Sequence, residues 1–510
     1  MSDSNANTSR KQPSDYINHP EVQQCLKQLK KLFGENYESL LVSDTLDDEG
    51  HQYVNLVQKG GGVLGVALVG YTYILETVGI RFLRLAGTSA GAINTAMLAV
   101  IGKKQDAKSP KILEYLSNLN FFKLVDGHPV AQQLIKTFIT NKKFEKNLVR
   151  YLRIFGILFF GSIFLDILFV GLGHHHGWAR AAGMISFLFT AILFVIFAAL
   201  TGYTLYLYNR LKESGYGINP GNYFLEWMKQ IMNENEVTTV EALNAKAADL
   251  PTLKVRDPKN QNASTLTADV TFISAELVSQ NKVELPRMYG LFRSNYNDDP
   301  LHPAGFVRAS MSIPVFFESY TIENIPSPAT HPEIKNAWAN FFNEDVTIPA
   351  TARFVDGGML SDFPINIFYN PKIIEPRLPS FGIDLDDSDP RTDQTATPDS
   401  WSLMNYLGRM FNTIRFYYDK DFLIKNRVFK KGIGSIPLSD FNWLNFFVSE
   451  DDKMKMFIRG AQAATGFLQS FKWNDYRKER IEMQRVLNEK QQPETTASGE
   501  PERSFYSRKA

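Results

Sequence analysis

Two long apolar segments near the middle of the chain constrain its fold more than any other feature. Residues 154–172 and 181–208 are almost entirely apolar, and each is long enough to cross a hydrocarbon core of roughly 30 Å as a helix of about 20 residues. The link between them, residues 173–180, is short, so the two helices should be antiparallel. We therefore expect a transmembrane helical hairpin over residues 141–215. A buried helical pair in a soluble protein is the alternative.

The distribution of positive charge around the two segments predicts their orientation. The link carries one arginine, Arg180, and three histidines, His174 to His176, which we interpret as a polar loop and not as a metal site. The positive-inside rule then places both long flanks in the cytoplasm and predicts a multi-pass membrane protein with two spans. Asp166 lies inside the first span, so we expect it to face the other helix, to be protonated or to mark a functional polar contact. The basic residues that flank the pair are Lys142, Lys143, Lys146, Arg150, Arg153, Arg210 and Lys212.

The composition sets the broad class of the remaining chain. Hydrophobic residues make up 44% of the 510 residues, which favours a packed globular protein. The net charge of +1 disfavours a nucleic-acid partner. The single cysteine, Cys25, excludes an intramolecular disulfide and a cysteine-built metal cluster. The polar N-terminus predicts no cleavable secretory signal.

These observations predict one globular domain that is interrupted by the hairpin. Residues 1–50 should form a polar, partly helical extension, and residues 51–140 and 216–475 should form the two parts of that domain. Residues 476–510 are polar and are expected to be disordered.

An alternation of strand and helix signals begins the first part of this domain. Residues 53–57 and 80–86 fit strands, and the apolar runs that follow each of them fit helices. The pattern βαβα predicts parallel strands joined by right-handed crossovers.

The glycine loop between the first strand and helix also fits the dinucleotide pattern, with Gly60, Gly62 and Gly65 in the required positions. A dinucleotide site needs an acidic residue near the end of the second strand. That strand ends in Leu85-Ala86-Gly87, and no Gly-Lys-Ser/Thr follows the glycines as a Walker A loop requires. We therefore expect no nucleotide cofactor.

The second strand leads into Gly87-Thr88-Ser89-Ala90-Gly91, which fits the Gly-x-Ser-x-Gly pattern of a nucleophile elbow. Its position between a predicted strand and a predicted helix makes Ser89 the candidate nucleophile. Acyl transfer also needs N–H donors for an oxyanion. Because glycine amides can turn closely toward a ligand, Gly60, Gly61 and Gly62 are the candidate donors.

The choice of base rests on the distribution of histidines. An α/β-hydrolase places its histidine after the acidic residue, but the last histidine is His331. His302 and His331 lie in proline-containing loops and are expected at the surface. Asp356 ends a predicted strand and is followed by Gly357 and Gly358. It is the alternative base, although Asp-Gly-Gly alone is also typical of a tight turn.

The glycine loop, Gly-Thr-Ser-Ala-Gly and Asp-Gly-Gly, in this order, resemble the motifs of the patatin-like phospholipase family. Four further segments are similar to that family: residues 272–276, 307–317, 382–385 and 460–468. The resemblance implies an α/β protein of three layers, α/β/α, with a mostly parallel sheet. It also implies a dyad of Ser89 and Asp356 without histidine, an oxyanion hole of Gly60, Gly61 and Gly62, and no metal or cofactor.

The implied activity is hydrolysis of carboxylic esters in membrane phospholipids or lysophospholipids through an acyl-enzyme. One position departs from the family pattern, because Leu64 stands where the family carries Arg or Lys. Lys59, just before the glycines, is the candidate to supply that charge. The alternatives are a non-catalytic membrane scaffold with the same fold and a soluble esterase or thioesterase.

A later stretch, residues 420–447, alternates basic and aromatic side chains. It is typical either of a segment that lies on an anionic membrane surface or of an amphipathic segment that covers the core.

Overall fold

The computed structural model describes residues 10–129, 132–133, 137, 144–173, 177–256, 266–293, 301–342, 347–386 and 403–491. The chain divides into two compact units. The first contains residues 1–124, 222–313 and 320–510, and the second contains residues 125–221 and 314–319. Lys142, Lys143 and the loop histidines His174 to His176 lie outside the described residues.

Short and long strands alternate with helices along the chain. The strands are β1 (Thr45–Leu46), β2 (Gln52–Gln58), β3 (Ile80–Thr88), β4 (Gly217–Asn219), β5 (Lys254–Val255), β6 (Val270–Glu276), β7 (Asn281–Leu285), β8 (Val315–Phe317), β9 (Tyr320–Ile322), β10 (Ala352–Asp356), β11 (Ser380–Asp386) and β12 (Ile433–Pro437).

The helices have the following bounds. They are α1 (Pro13–Ile17), α2 (Pro20–Phe33), α3 (Gly65–Thr77), α4 (Ala90–Val100), α5 (Ser109–Asn118), α6 (Phe144–Gly173), α7 (Gly177–Glu213), α8 (Asn222–Glu234), α9 (Val240–Ala248), α10 (Ala304–Ser310), α11 (Pro332–Phe341), α12 (Leu403–Lys425), α13 (Glu450–Ser470) and α14 (Trp473–Gln491). Single 3₁₀ turns at Gly62–Leu64 and Gly357–Met359 lie next to two of the sequence motifs.

The first unit is built on a ten-stranded sheet with the order β12-β11-β2-β3-β6-β10-β9, to which β1, β5 and β7 add at the sides. Neighbours from β12 to β6 are parallel. The pairs β6–β10, β10–β9, β6–β7, β1–β2 and β1–β5 are antiparallel.

The expectation of a mostly parallel sheet was therefore wrong, because the sheet is mixed. The chain turns back directly from β6 into β7 through residues 277–280, and such a short connection can only join antiparallel strands. The glycine loop and the Gly-x-Ser-x-Gly motif follow strands of the parallel half, whereas Asp-Gly-Gly follows β10, which is antiparallel to both of its neighbours.

The core of the first unit covers both faces of this sheet. Every residue of β2 and β6 is buried, although successive side chains of a strand point to opposite faces. Helices α3 and α13 approach each other very closely, since a Cβ at Gly70 would lie 2.0 Å from the carbonyl oxygen of Phe457. Phe467 of α13 packs edge-on against Phe381 of β11, with 4.8 Å between ring centroids.

The polar segment after residue 475 is helical as far as Gln491, so the expected disorder was wrong for residues 476–491. Trp473, Tyr476, Arg480 and Gln484 form a buried stripe on α14. The two polar members of the stripe satisfy each other, because Arg480 donates to Gln484 over 2.8 Å. Arg480 also lies over the ring of Tyr369, at 4.8 Å from its centroid. Residues 492–510 lie outside the described part of the chain.

The second unit contains the apolar pair, α6 and α7, and the two-stranded parallel sheet of β4 and β8. Two helical segments in it, Val149–Leu172 and Gly177–Glu213, are long and apolar enough to cross a membrane, and only 6% of the most apolar window of each is buried. Their apolar side chains are thus exposed and do not fill a core. Asp166 faces the other helix, where its carboxylate accepts a hydrogen bond of 2.5 Å from Ser186. Phe159 and Phe197 stack across the pair at 5.9 Å.

Candidate active site

Ser89 lies in a sharp turn between β3 and α4. Its backbone angles are φ 52° and ψ −118°, a conformation that a residue with a side chain rarely adopts and that marks strain at functional turns. The flanking glycines make the turn possible. A Cβ at Gly87 would lie 2.3 Å from the carbonyl oxygen of Gly91, and a Cβ at Gly91 would lie 2.2 Å from that of Gln58. The Gly-x-Ser-x-Gly pattern therefore has a steric cause.

Asp356 ends β10, and its carboxylate interacts with the Ser89 hydroxyl. The side chain is buried, with 6% exposure, and it accepts a hydrogen bond of 2.7 Å from the Gly358 amide. Burial raises the pKa of Asp356 to about 6, a rise to which the neighbouring Asp362 adds and which the hydrogen bonds from Ser89 and Gly358 oppose. A carboxylate with such a pKa is a better base near neutral pH than an ordinary aspartate.

A short segment at the end of α10 holds the backbone of both residues. The Ser89 amide donates to the Ser310 hydroxyl over 3.0 Å, and that hydroxyl donates to the Ile273 carbonyl over 2.5 Å. The Asp356 amide donates to the Ser312 carbonyl over 2.8 Å. The positions of the serine and the aspartate are thus fixed by neighbouring residues of one segment, whose role the motifs do not reveal.

The glycine loop lies beside the nucleophile, since a Cβ at Gly60 would be 3.2 Å from the Cβ of Ser89. The Gly60 amide donates to the Asp362 carbonyl over 3.0 Å, so it is not free to bind an oxyanion as expected. The amides of Gly61 and Gly62 have no acceptor among the described residues. These two N–H groups remain the candidate donors.

Gly62 cannot be replaced without strain. Its φ of +54° is left-handed, and a Cβ there would lie 2.2 Å from the carbonyl oxygen of Trp443. The same carbonyl accepts the Val63 amide over 3.1 Å. The other motif glycines, Gly65, Gly357 and Gly358, are also places of close approach, with Cβ distances of 3.1, 2.2 and 2.6 Å to the nearest atom of another residue.

Arg415 of α12 supplies a positive charge close to Ser89 and Asp356. Its Nε donates to the Gly358 carbonyl over 2.6 Å, and its Nη2 lies 3.0 Å from the carboxylate of Asp362. Lys59, the expected source of this charge, instead binds Asp384 at 2.8 Å and the Leu385 carbonyl at 2.9 Å. Sequence reasoning missed Arg415 because it lies 57 residues after Gly358 and belongs to no motif.

A second buried serine–aspartate pair lies close to the first. Asp419 accepts hydrogen bonds from the Ser361 hydroxyl over 2.7 Å and from the Phe363 amide over 2.9 Å. Burial raises the pKa of Asp419 to about 6. The Ser361 carbonyl accepts the Thr88 hydroxyl over 3.0 Å, so this pair supports the loop behind the elbow.

Three histidine side chains bond to residues that lie outside the group around Ser89 and Asp356. His51 binds Asp47 at 3.0 Å, His302 binds Asn233 at 3.0 Å, and His331 binds Thr330 at 2.9 Å. Within the described part of the chain, no group of three His, Cys, Asp or Glu side chains is placed to hold a metal ion.

The arrangement has the parts that acyl transfer requires: a hydroxyl on a strained turn, a carboxylate that interacts with it, and two unpaired amides beside it. The start of α4 adds the positive end of a helix dipole directly after Ser89.

Comparisons with known proteins agree with these motifs. The model of the family described as "Patatin-like phospholipase" matches residues 56–369, more than half of the chain. The chain is 23% identical over 419 residues to the uncharacterized protein YqhO of Bacillus subtilis (strain 168), a match that covers 82% of this chain and 99% of that protein. The crystal structure of VipD from Legionella pneumophila aligns with 84% of this chain and 68% of its own, at 15% identity and a TM-score of 0.32. The chain therefore belongs to the patatin-like phospholipase family.

Proposed function

We propose that the protein is a membrane-anchored lipid acyl hydrolase that uses Ser89 as nucleophile and Asp356 as general base. The observation that carries the proposal is the interaction of the buried Asp356 carboxylate with the hydroxyl of a serine on a strained turn. The substrate class follows from the family and from the apolar hairpin in the same chain.

The first half-reaction forms an acyl-enzyme. Asp356 accepts the proton of the Ser89 hydroxyl while the serine oxygen attacks the ester carbonyl carbon, and the carbonyl oxygen becomes an oxyanion. The amides of Gly61 and Gly62 donate hydrogen bonds to that oxygen. The carbon–oxygen bond to the alcohol then breaks, and Asp356 returns its proton to the leaving alcohol.

The second half-reaction releases the fatty acid. Asp356 takes a proton from water as the water oxygen attacks the acyl carbon, and the same two amides stabilise the second oxyanion. When the bond to Ser89 breaks, the serine oxygen recovers a proton from Asp356. The complete cycle converts an ester and water into an alcohol and a fatty acid, with no other reactant.

Hydrolysis by purified full-length protein in detergent, with phospholipid and lysophospholipid substrates, tests the dyad. We expect Ser89→Ala and Asp356→Asn each to lose essentially all release of fatty acid, and Ser89→Ala to lose labelling by a fluorophosphonate. Ser109→Ala is the matched control, since Ser109 is also buried but bonds to Thr72 and Glu76 of α3, at 2.9 and 2.7 Å.

Two outcomes would contradict the dyad. Substantial hydrolysis by either variant in its folded form would assign the chemistry to other residues. A well-folded wild-type protein that neither hydrolyses lipid nor reacts with a fluorophosphonate would favour a non-catalytic scaffold.

The hairpin is the proposed anchor, and its structure supports this role. The helices of 30 and 37 residues exceed the about 20 residues that a span needs, and their apolar side chains are exposed. The carboxylate inside the first span has a hydrogen-bond donor in Ser186, which lowers the cost of burying it in hydrocarbon. Because Arg150, Arg153, Arg210 and Lys212 flank the outer ends, we place the catalytic unit in the cytoplasm.

Cysteine accessibility in intact cells tests this topology. In a Cys25→Ser background, Trp178→Cys lies on the link side and Tyr216→Cys lies beyond the second helix; both wild-type residues are exposed. We expect a membrane-impermeant maleimide to label position 178 in intact cells and position 216 only after lysis. The reverse pattern would contradict the orientation, and extraction of the protein from membranes by carbonate would contradict the anchor.

A further inference from the structure

Helix α12 (Leu403–Lys425) presents two chemically different faces, and the inner one belongs to the candidate active site. Arg415 binds the Gly358 carbonyl and the Asp362 carboxylate, and Asp419 binds Ser361 and the Phe363 amide. Phe422 packs against Phe429, with 5.0 Å between ring centroids. At about 100° per residue these three side chains lie on one side of the helix.

The outer face of α12 carries large apolar side chains that are exposed. They are Tyr406, Met410, Tyr417 and Ile424, with 53, 48, 65 and 63% exposure. Their spacing places them within about 40° of one another, opposite Arg415. We call these four side chains the α12 stripe. Such a stripe runs against the usual pattern, in which the apolar face of a helix is the buried one.

Basic residues accompany the α12 stripe. Lys420 and Lys425 are exposed, and Arg409 is half-buried. Two acids occur on the described part of the helix: Asp419 is buried in the inner face, and Asp421 pairs with Lys425 at 2.6 Å. An exposed apolar stripe edged by lysine and arginine is typical of a helix that lies in the interface of an anionic bilayer.

The neighbouring aromatic residues of the stretch 420–447 cover the core, which was the second of the two roles predicted for this stretch. Phe429 and Phe446 are buried, and Lys431 is paired with Glu479. That part of the stretch covers the core, whereas about half or more of each α12 stripe side chain is exposed.

We propose that the α12 stripe adsorbs to the surface of an anionic phospholipid bilayer and so holds the catalytic unit against its substrate; the lipid-hydrolase part of this proposal rests on the function proposed above. Charge favours a bilayer over a second copy of the chain as the occupant, because self-association would concentrate the same cations at one contact. Since the opposite face of the helix holds Gly358 and Asp362, adsorption would bring the lipid surface to about one helix diameter, roughly 10 Å, from these two residues beside Asp356.

A fluorescent probe at the stripe tests adsorption directly and without catalysis. In a Cys25→Ser background, Tyr417→Cys carries an environment-sensitive fluorophore, and Leu32→Cys on α2 is the matched control, since Leu32 is also a well-exposed apolar residue of the same unit. The full chain is reconstituted into liposomes of phosphatidylcholine, with or without phosphatidylglycerol, that contain a lipid-borne quencher. We expect strong quenching at position 417, more of it with phosphatidylglycerol, and little at position 32.

A kinetic measurement tests whether adsorption serves hydrolysis. Tyr417→Ser/Ile424→Ser should lower hydrolysis of bilayer phospholipid by about tenfold or more, because two large apolar contacts with the bilayer are lost. Hydrolysis of a short, water-soluble ester should stay within about twofold, since neither residue belongs to the inner face. Leu32→Ser/Val486→Ser is the control pair of exposed apolar residues, and both variants should keep the wild-type melting temperature.

The outcomes separate this proposal from the proposed function. Quenching at position 417 in the inactive Ser89→Ala variant would support adsorption whatever the fate of the dyad. Absence of quenching at position 417 would overturn adsorption, and the appearance of a concentration-dependent dimer would assign the stripe to a second copy. Equal quenching with and without phosphatidylglycerol would overturn the preference for anionic lipid. Equal losses on bilayer lipid and soluble ester would reject the stripe as a docking surface and indicate damage to the active site.

Discussion

The first unit contains two buried serine–aspartate pairs that look alike in isolation. In each pair burial raises the pKa of the aspartate to about 6, and in each the carboxylate interacts with a serine hydroxyl. Ser361 is fully buried in a loop, and Asp419 also accepts the Phe363 amide. Ser89 instead lies on a turn with φ 52°, beside two amides that have no acceptor in the described chain. A buried carboxylate near a serine hydroxyl therefore does not by itself identify a catalytic pair. The strained turn at Ser89 and the two amides without an acceptor in the described chain distinguish the candidate catalyst from a structural hydrogen bond.

Removal of each serine hydroxyl in turn is the strongest test of whether the two pairs differ in function. We expect Ser89→Ala to lower kcat/KM by about 10³-fold or more, and Ser361→Ala to lower it by less than about tenfold, because Ser361 supports the loop through a hydrogen bond and through its backbone. Steady-state hydrolysis of a soluble ester measures both. Similar losses in the two variants would mean that the pairs are not functionally distinct.

The amides beside Ser89 are the second difference between the pairs. Gly62→Ala introduces a Cβ at a left-handed φ and 2.2 Å from the Trp443 carbonyl, so the loop must move. Displacing an oxyanion donor should lower kcat by about 10²- to 10³-fold. Gly466→Ala on α13 is the control, since a Cβ there meets nothing within 4 Å. Normal kcat in Gly62→Ala would remove the glycine loop from the mechanism.

The two aspartates should behave alike in stability and differently in activity. Each carboxyl binds its proton more tightly in the folded protein, so stability falls as the pH rises from about 4 to about 6. Asp356→Asn and Asp419→Asn remove this loss and should each raise the free energy of unfolding at pH 7, by up to about 3 kcal/mol. Only Asp356→Asn should abolish hydrolysis. Thermal unfolding at pH 4 and pH 7 checks the sign, because the gain should vanish at the lower pH.

The pH dependence of the wild-type rate reports which of the two carboxyls is the base. Deprotonated Asp356 is the active form, so kcat/KM should fall about tenfold per pH unit below its pKa of about 6 and level off above it. Because both aspartates have the same pKa, the profile of Asp419→Asn is the informative control: it should keep the inflection. Loss of the inflection in that variant would assign it to Asp419.

The smallest expected effect concerns the support of the nucleophile. Ser310→Ala leaves the Ser89 amide without its 3.0 Å acceptor, and we expect kcat to fall about tenfold with KM unchanged. Ser310→Thr keeps the hydroxyl and should restore most of the rate. A change confined to KM would show that Ser310 does not position Ser89.

The residues that local sequence could predict are those with a local cause. Gly87 has a cause within the five residues of the motif, since a Cβ there would lie 2.3 Å from the Gly91 carbonyl, whereas Gly91 is required by its approach to Gln58 on the neighbouring strand. Gly60 was expected to act with Gly61 and Gly62, but its amide is taken by the Asp362 carbonyl. Nothing within the glycine loop itself could have indicated which of three adjacent amides is engaged.

Features that depend on distant residues were not predictable in the same way. Arg415 and Trp443 reach the site only because α12 and the segment after β12 fold back onto the motifs. The antiparallel direction of β10 is set by its pairing with β6 and β9, far away in the chain, and not by the Asp-Gly-Gly motif that follows it. The helix at residues 473–491 was missed because half of its buried stripe is polar. Arg480 and Gln484 are buried by pairing with each other, which composition alone does not show.

The Trp443 carbonyl has a consequence for the order in which the protein becomes active. It accepts the Val63 amide beside the glycine loop, so the loop has its final support only after residue 443 has been made. The family match ends at residue 369, yet a nascent chain of that length lacks Trp443, Arg415 and the last two strands of the sheet, β11 and β12. If the hairpin is the proposed anchor, it would enter the membrane well before the glycine loop has this support, and the order of synthesis alone would protect the lipids around an unfinished chain from hydrolysis.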